Sequence, residues 1–229
     1  ASIKAFTIEL ADMDGDGDMD LLSASDADDE IKWYENDGLG NFTEIVINNS
    51  IANPSDVFAI DLDGDGDTDV LSTNRSNTER LIWYENDGSQ NFTANTIESY
   101  GNVDARAVYA IDVDSDGDID VLAALEGGDD ILWYENDGSE NFTRHDIDNA
   151  ANGAYDVFAI DVDSDGDIDV LSASRNDDNI NWYENDGSEN FTERQINGTA
   201  NGARSVYAID IDNDGDIDVL SAAFDDDDI

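Results

Sequence analysis

The chain has 229 residues, with 58 Asp plus Glu against nine Lys plus Arg, a formal charge of −49, one His and no Cys. A field of that size with no basic patch excludes nucleic acid and anionic membrane as partners. The lack of Cys excludes disulfides, and no run of about 18 apolar residues is present to span a membrane. An apolar fraction of 39%, with four Trp, eight Tyr and eight Phe, argues against disorder and for one domain or a compact repeat array.

In chain order, the first element with a clear signature is the nine-residue stretch Asp12-Met13-Asp14-Gly15-Asp16-Gly17-Asp18-Met19-Asp20. It recurs from Asp61, Asp112, Asp161 and Asp210, always with Gly at position six and Asp at positions one, three, five, seven and nine. The candidate metal ligands are therefore Asp12, Asp14, Asp16, Asp18 and Asp20, then Asp61, Asp63, Asp65, Asp67 and Asp69, then Asp112, Asp114, Asp116, Asp118 and Asp120. The last two copies add Asp161, Asp163, Asp165, Asp167 and Asp169, and Asp210, Asp212, Asp214, Asp216 and Asp218. Two unit charges about 5 Å apart repel by roughly 1 kcal/mol in water and about 3 at an effective dielectric constant near 20, so such a loop closes only around a cation.

Oxygen-only ligands at alternate positions suit calcium, a hard ion of high and flexible coordination number. Magnesium demands a stricter octahedron and keeps its waters, and zinc or copper would want His or Cys. The loop begins like an EF-hand, but its twelfth position holds Ser23, Ser72, Ala123, Ser172 or Ser221 in place of the bidentate Glu, and no flanking stretch has helical period. About five calcium ions are expected, one per repeat, and they would leave a net charge of about −39.

The loops step by 49, 51, 49 and 49 residues, and Trp33, Trp83, Trp133 and Trp182 keep the same period. The repeats run at about 1–50, 51–101, 102–150, 151–199 and an incomplete 200–229, in one propeller or propeller segment. In the fourth repeat four strands are predicted, at 157–161 (VFAID), 168–174 (IDVLSAS), 180–185 (INWYEN) and 190–196 (NFTERQI). Asn-Asp-Gly at 36–38, 86–88, 136–138 and 185–187 supplies the turn from third to fourth strand, and the single Pro54 falls in a connection.

The third strand carries Ile180 and Trp182 on one face and Tyr183 on the other, so it is expected between two other sheets. The fold class is therefore all-β, a β-propeller of four-stranded antiparallel blades with four complete repeats and half of a fifth. Up-and-down order puts the Asp loops and the Asn-Asp-Gly turns on one rim. The variable loops at 26–30, 75–80, 126–130, 175–179 and 224–228 fall on the other, where specific binding is expected. The fifth repeat supplies strands near 206–210 and 217–222 only, so the sequence is a portion of a longer protein, or a partner or second copy supplies the missing strands, or the sheet stays open.

The combination D-x-D-x-D-G-D-x-D, V-L-S-A-S and W-Y-E-N-D-G resembles the FG-GAP and VCBS repeats of bacterial surface proteins and, more distantly, integrin α-chain propellers and some fungal lectins. That resemblance implies calcium held by the side chains at positions one, three, five and nine with the carbonyl at position seven, whose own Asp side chain is expected to point outward. The family's members differ in activity; calcium sites that bind at about 0.1–1 mM, a concentration met outside cells, lead to the expectation of an extracellular or cell-surface, non-catalytic adhesion, scaffolding or self-assembly module. A multivalent lectin or an accessory part of a polysaccharide-active enzyme are the alternatives. The expected partners are a protein or glycan surface, or further copies through the incomplete last blade.

No symmetry-breaking base and nucleophile are visible, so no catalytic residue is assigned. His145 is read as an exposed strand residue with Ala94 and Arg194 as counterparts. The N-x-T sequons at Asn41, Asn91, Asn141 and Asn190 recur with the repeat and are read first as turn and strand-entry residues.

Overall fold

The computed structural model describes residues 5–75, 81–99, 101 and 103–225, and every regular element among them is a β-strand. The first sheet runs β1 (Ala5–Ala11), β2 (Asp20–Ser25), β3 (Glu30–Asn36), β4 (Phe42–Asn48), each strand antiparallel to the next. The second is β5 (Pro54–Ile60), β6 (Asp69–Asn74), β7 (Leu81–Asn86), β8 (Phe92–Glu98). The third is β9 (Ala105–Ile111), β10 (Asp120–Leu125), β11 (Asp130–Asn136), β12 (Phe142–Asp148). The fourth is β13 (Ala154–Ile160), β14 (Asp169–Ser174), β15 (Asn179–Asn185), β16 (Phe191–Asn197). A two-stranded sheet of β17 (Ala203–Ile209) and β18 (Asp218–Ala223) follows. Each sheet is a blade of the propeller type, and the strand order within it is the order in sequence.

The apolar pattern explains the stacking of sheets. In β7 and β11, Leu81 to Tyr84 and Ile131 to Tyr134 are buried on both faces, which a strand can satisfy only between two layers. The chain divides into two compact units, Ala1–Val108 and Tyr109–Ile229. In the first, Leu22, Ala24, Ile31 and Trp33 of one sheet pack with Val57, Val70, Ile82 and Tyr84 of the next. In the second, Leu171, Ala173 and Ile180 pack with Ala203, Val206 and Ala208. Burying a side chain of this size contributes about 1.5–3 kcal/mol, so each core is a substantial apolar support of the sheets it joins.

Three local expectations are corrected. The first strand of the fourth repeat starts at Ala154, before residue 157, because a bulge between Ala154 and Asp156 lets the chain rejoin the ladder opposite Ser174. Pro54 opens β5 instead of lying in a connection, a place where its missing N–H costs no central ladder bond. His145 pairs with Trp133 as Asn95 pairs with Trp83 and Arg194 with Trp182, so its counterpart in the second repeat is Asn95, not Ala94.

The rim opposite the Asp loops carries fasteners between neighbouring blades. The carboxylate Oδ1 atoms of Asp29, Asp129 and Asp178, all at positive φ, accept the backbone N–H of Asn53, Gly153 and Gly202. At the same end of the strands, Arg75 pairs with Asp26 in the first unit and Arg175 with Glu126 in the second. Residues 76–80 and 226–228 of the loops expected there lie outside the described residues.

Candidate metal centre

Each Asp loop is a folded turn between the first and second strands of its repeat. An apolar residue at position two (Met13, Leu62, Val113) is buried and anchors it. The Gly at position six adopts φ from 94° at Gly17 to 103° at Gly117, a region L side chains rarely enter, and this directs successive N–H groups inward. As a result the carboxylate of Asp12 accepts the N–H groups of Asp16 and Gly17 at 3.1 and 3.0 Å, and Asp112, Asp161 and Asp210 do the same in their loops. In the second loop Asp61 takes Gly64 and Gly66.

Positions one, three and nine are brought together in all five repeats. One carboxylate oxygen each from Asp12, Asp14 and Asp20 lie within 4.8 Å of one another, and so do those of Asp61, Asp63 and Asp69; Asp112, Asp114 and Asp120; Asp161, Asp163 and Asp169; Asp210, Asp212 and Asp218. Positions five and seven lie outside these clusters. Asp16, Asp65, Asp116, Asp165 and Asp214 are exposed, and each Oδ1 accepts the N–H of position seven. The outward orientation expected at position seven is corrected for four loops. Asp18, Asp67, Asp118 and Asp167 are half-buried against Gly38, Gly88, Gly138 and Gly187, where any added Cβ would collide with the carboxylate. Asp216, with no such turn beside it among the described residues, is exposed.

Position nine is held from two sides. Its Oδ2 accepts the position-two N–H, for example Met13 to Asp20 at 3.1 Å and Val113 to Asp120 at 3.0 Å. Its Oδ1 accepts the backbone N–H of Asn36, Asn86, Asn136 or Asn185 at 2.7–2.8 Å. The same Asn side chains donate to the carbonyls of Met19, Thr68, Ile119 and Ile168, and accept the N–H of the turn glycine. Loop and turn are thus one hydrogen-bonded body on one rim. Sequence reasoning read this Asn as a turn residue only; the signal available was its fixed lag of 16 or 17 residues behind the position-nine Asp. Asp218 has no equivalent Asn partner among the described residues.

Burial pushes the Asp69 carboxyl up to about 6 and Asp120 up to about 7, because hydrogen bonds to the charged form offset the lost hydration only in part. Asp169, Asp14, Asp63, Asp114 and Asp163 are shifted the same way, first by burial and then by neighbouring carboxylates at position three. The Nε1 atoms of Trp83, Trp133 and Trp182 are buried without a well-formed hydrogen bond. Their N–H dipoles nonetheless draw the adjoining position-nine pKa down, a role beyond the inter-blade packing expected of these residues.

Lys32, Arg75, Arg144, Arg175 and Arg194 pair with acids outside the loops, so none of these ion pairs relieves the clusters. Clustered oxygen-only donors, with a buried member at position nine in four loops and no cationic side chain paired to them among the described residues, fit a hard divalent cation. Such an ion would supply the positive charge that lets three carboxylates ionise side by side.

The remaining expected residues have structural partners. Asn41, Asn91, Asn141 and Asn190 donate through Nδ2 to Asp37, Asp87, Asp137 and Asp186, closing the hairpin loop and holding those carboxyl groups below their usual pKa. His145 is half-buried, not exposed as expected: its ring stacks on Trp133 with centroids 4.5 Å apart, and Nε2 lies 2.7 Å from Glu135 Oε2. In the next blade Arg194 covers Trp182 and pairs with Glu184 in the same way.

Comparison with solved structures places this geometry among β-propeller proteins. An Agrocybe aegerita lectin that recognises non-reducing terminal N-acetylglucosamine is 15% identical, with a TM-score of 0.66 over 96% of this chain and 61% of the lectin. The Vibrio cholerae biofilm matrix protein Bap1 is 19% identical, with a TM-score of 0.58 over 88% of this chain and 30% of Bap1. An exo-β-1,3-galactanase from Phanerochaete chrysosporium is 11% identical, with a TM-score of 0.56 over 90% of this chain and 56% of the enzyme. The chain therefore spans less than two thirds of each of these proteins, and at such identity the likeness concerns fold alone. A search of curated protein sequences gave no match. The model of an FG-GAP-like repeat matches four times, at residues 12–72, 61–123, 112–172 and 161–221, each match running from one Asp loop through the next. Those matches take in all five loops and nearly the whole described chain, which belongs to the FG-GAP-like repeat family.

Proposed function

We propose that the chain is an extracellular, calcium-stabilised and non-catalytic propeller module that serves adhesion or scaffolding. The observation that carries the reading is the fivefold recurrence of an Asp cluster whose buried position-nine member is tied, in four repeats, to the neighbouring turn. Asp12, Asp14 and Asp20 and their equivalents would hold the ion. Oxygen donors in a flexible loop favour calcium over magnesium, and sites of this kind in extracellular modules bind at about 0.1–1 mM, a concentration met outside cells. The non-catalytic reading draws on repetition: the acid groups recur in every blade, and His145 is engaged with Trp133 and Glu135.

The test is thermal unfolding in calcium and in a chelator. Calcium at about 100-fold above its dissociation constant adds roughly 2.7 kcal/mol per site, so melting should rise by many degrees. Identical curves would contradict the reading.

A lectin is the second reading, favoured by one cleft of about 370 Å³ in the first unit. Asn48, Asn49 and Ser50 offer polar groups there beside Tyr84 and Phe92, a mixture suited to a sugar ring. A glycan array in calcium separates the two: sugar-inhibitable binding supports the lectin, and a blank array supports adhesion to protein or scaffolding.

A further inference from the structure

The third and fourth Asp loops are the same nine residues, Asp-Val-Asp-Ser-Asp-Gly-Asp-Ile-Asp, at 112–120 and 161–169, and the same Trp-Tyr-Glu-Asn follows each on its third strand. A difference in their hold on a cation must therefore come from outside the loop. On the face of the third strand that carries the Trp, the next side chain is Glu135 in one sheet and Glu184 in the other, two positions further on. Opposite the Trp on the fourth strand stands His145 in one and Arg194 in the other.

Each of these fourth-strand side chains also grips the Glu. His145 Nε2 lies 2.7 Å from Glu135 Oε2, and the Arg194 guanidinium pairs with the Glu184 carboxylate while covering Trp182 at 5.4 Å. In the second sheet Asn95 takes the place and donates to Glu85 Oε2 at 3.2 Å. In the first it is Ile45, which has no polar group to offer Glu35. Of the four, only Arg carries a permanent charge.

The Glu also stands beside the Asp cluster. Asn136 and Asn185, one residue on, give their backbone N–H groups to Asp120 and Asp169, which sets this end of the third strand against position nine. The Trp lies on the same face: Trp133 is 1% exposed, and its Nε1, without a well-formed partner, adjoins Asp120. Burial comes first in raising the carboxyls of Asp63, Asp114 and Asp163, and the like charges that add to it include Glu85, Glu135 and Glu184. The Glu is outside the three-carboxylate clusters, so it acts on the site through its charge.

We infer that this third-strand Glu is an outer charge of the cation site and that the fourth-strand side chain gripping it tunes the site's affinity. Arg194 touches no loop carboxylate but cancels the charge of Glu184, so the fourth loop binds calcium more weakly than the third, whose Glu135 is held by His145. A partly exposed pair of this kind changes affinity by about threefold to fivefold, too little to split the uptake of these loops into separate steps.

The inference rests on the calcium reading above. Its test is a calcium titration at pH 8 followed through the amide NMR signals of Gly117 and Gly166, whose N–H groups bond Asp112 and Asp161 inside the two loops. In the parent chain the midpoint at Gly166 should lie about threefold to fivefold above that at Gly117. Arg194→Gln should draw the Gly166 midpoint down to that of Gly117, and His145→Arg should raise the Gly117 midpoint by the same factor, each leaving the other loop unmoved. Glu135→Gln keeps a hydrogen-bonding group beside His145 and should also raise the Gly117 midpoint, which a Glu with a purely structural role would not do. Coincident midpoints in the parent, or substitutions that alter melting in chelator and leave both midpoints in place, would overturn the inference alone. Signals that do not respond to calcium at all would contradict the calcium reading itself and the inference with it, so the two failures are told apart.

Discussion

Asp120 is fully buried and, among the described residues, no cationic side chain pairs with it, and the pKa of about 7 that burial imposes makes pH a probe of the centre. Its folded pKa lies above the ordinary 3.8, so the metal-free native state takes up protons that the unfolded chain does not. Metal-free protein should therefore gain stability as pH falls from about 7 toward 4, with Asp69 joining near 6. The hairpin aspartates Asp37, Asp87, Asp137 and Asp186 are shifted the other way and oppose this only below that window. Melting curves in chelator at pH 8 and pH 5 check the sign, and the stabilisation by calcium should shrink over the same interval. Asn136→Ala removes the side chain that caps the Ile119 carbonyl and accepts Gly138 N–H. It should cost about 1–2 kcal/mol in denaturant unfolding. It should also weaken calcium at that loop by about tenfold or more in a titration, as loss of an outer partner commonly does.

The loop and its hairpin act as one element, and two glycines separate backbone strain from contact. Gly117 sits at φ +103 with open space around it, so Gly117→Ala should cost about 1–3 kcal/mol through the backbone alone. Gly138, at φ +69, faces the Asp118 carboxylate, so Gly138→Ala should cost more and also shift calcium affinity. Unfolding of both variants with and without calcium checks the order. Much of this element was legible in the sequence, because cation ligands at alternate positions and apolar residues of period two are local signatures, as at Asp12 to Asp20 and Leu81 to Tyr84. The hidden parts are those carried by no residue type. A backbone N–H from Asn36 to Asp20 leaves no mark on composition, and the bulge at Ala154 to Asp156 is set by pairing with a distant strand. The register that sets His145 on Trp133 depends on where the hairpin closes, at Asp37 to Asn41 and its equivalents. Position seven misled because an acidic residue in a turn is usually solvated, whereas here a glycine in the next hairpin makes room for it.

At the scale of the whole molecule, the two apolar cores hold sheet to sheet and the Asp clusters oppose them until charge is neutralised. Each site occupied at about 100-fold excess over its dissociation constant returns roughly 2.7 kcal/mol, against a usual domain stability of about 5–15. On the proposed calcium reading, stability becomes a function of bound ion. The fifth site should be the weakest in this chain, because Asp218 is only half-buried and, among the described residues, has no Asn partner of the kind that backs Asp20, Asp69, Asp120 and Asp169. Native mass spectrometry across a calcium titration reads this directly. The expected result is five ions per chain, four taken up together and one at higher concentration, whereas a mass that stays at the metal-free value, or ions that bind without saturating at five, would contradict the account.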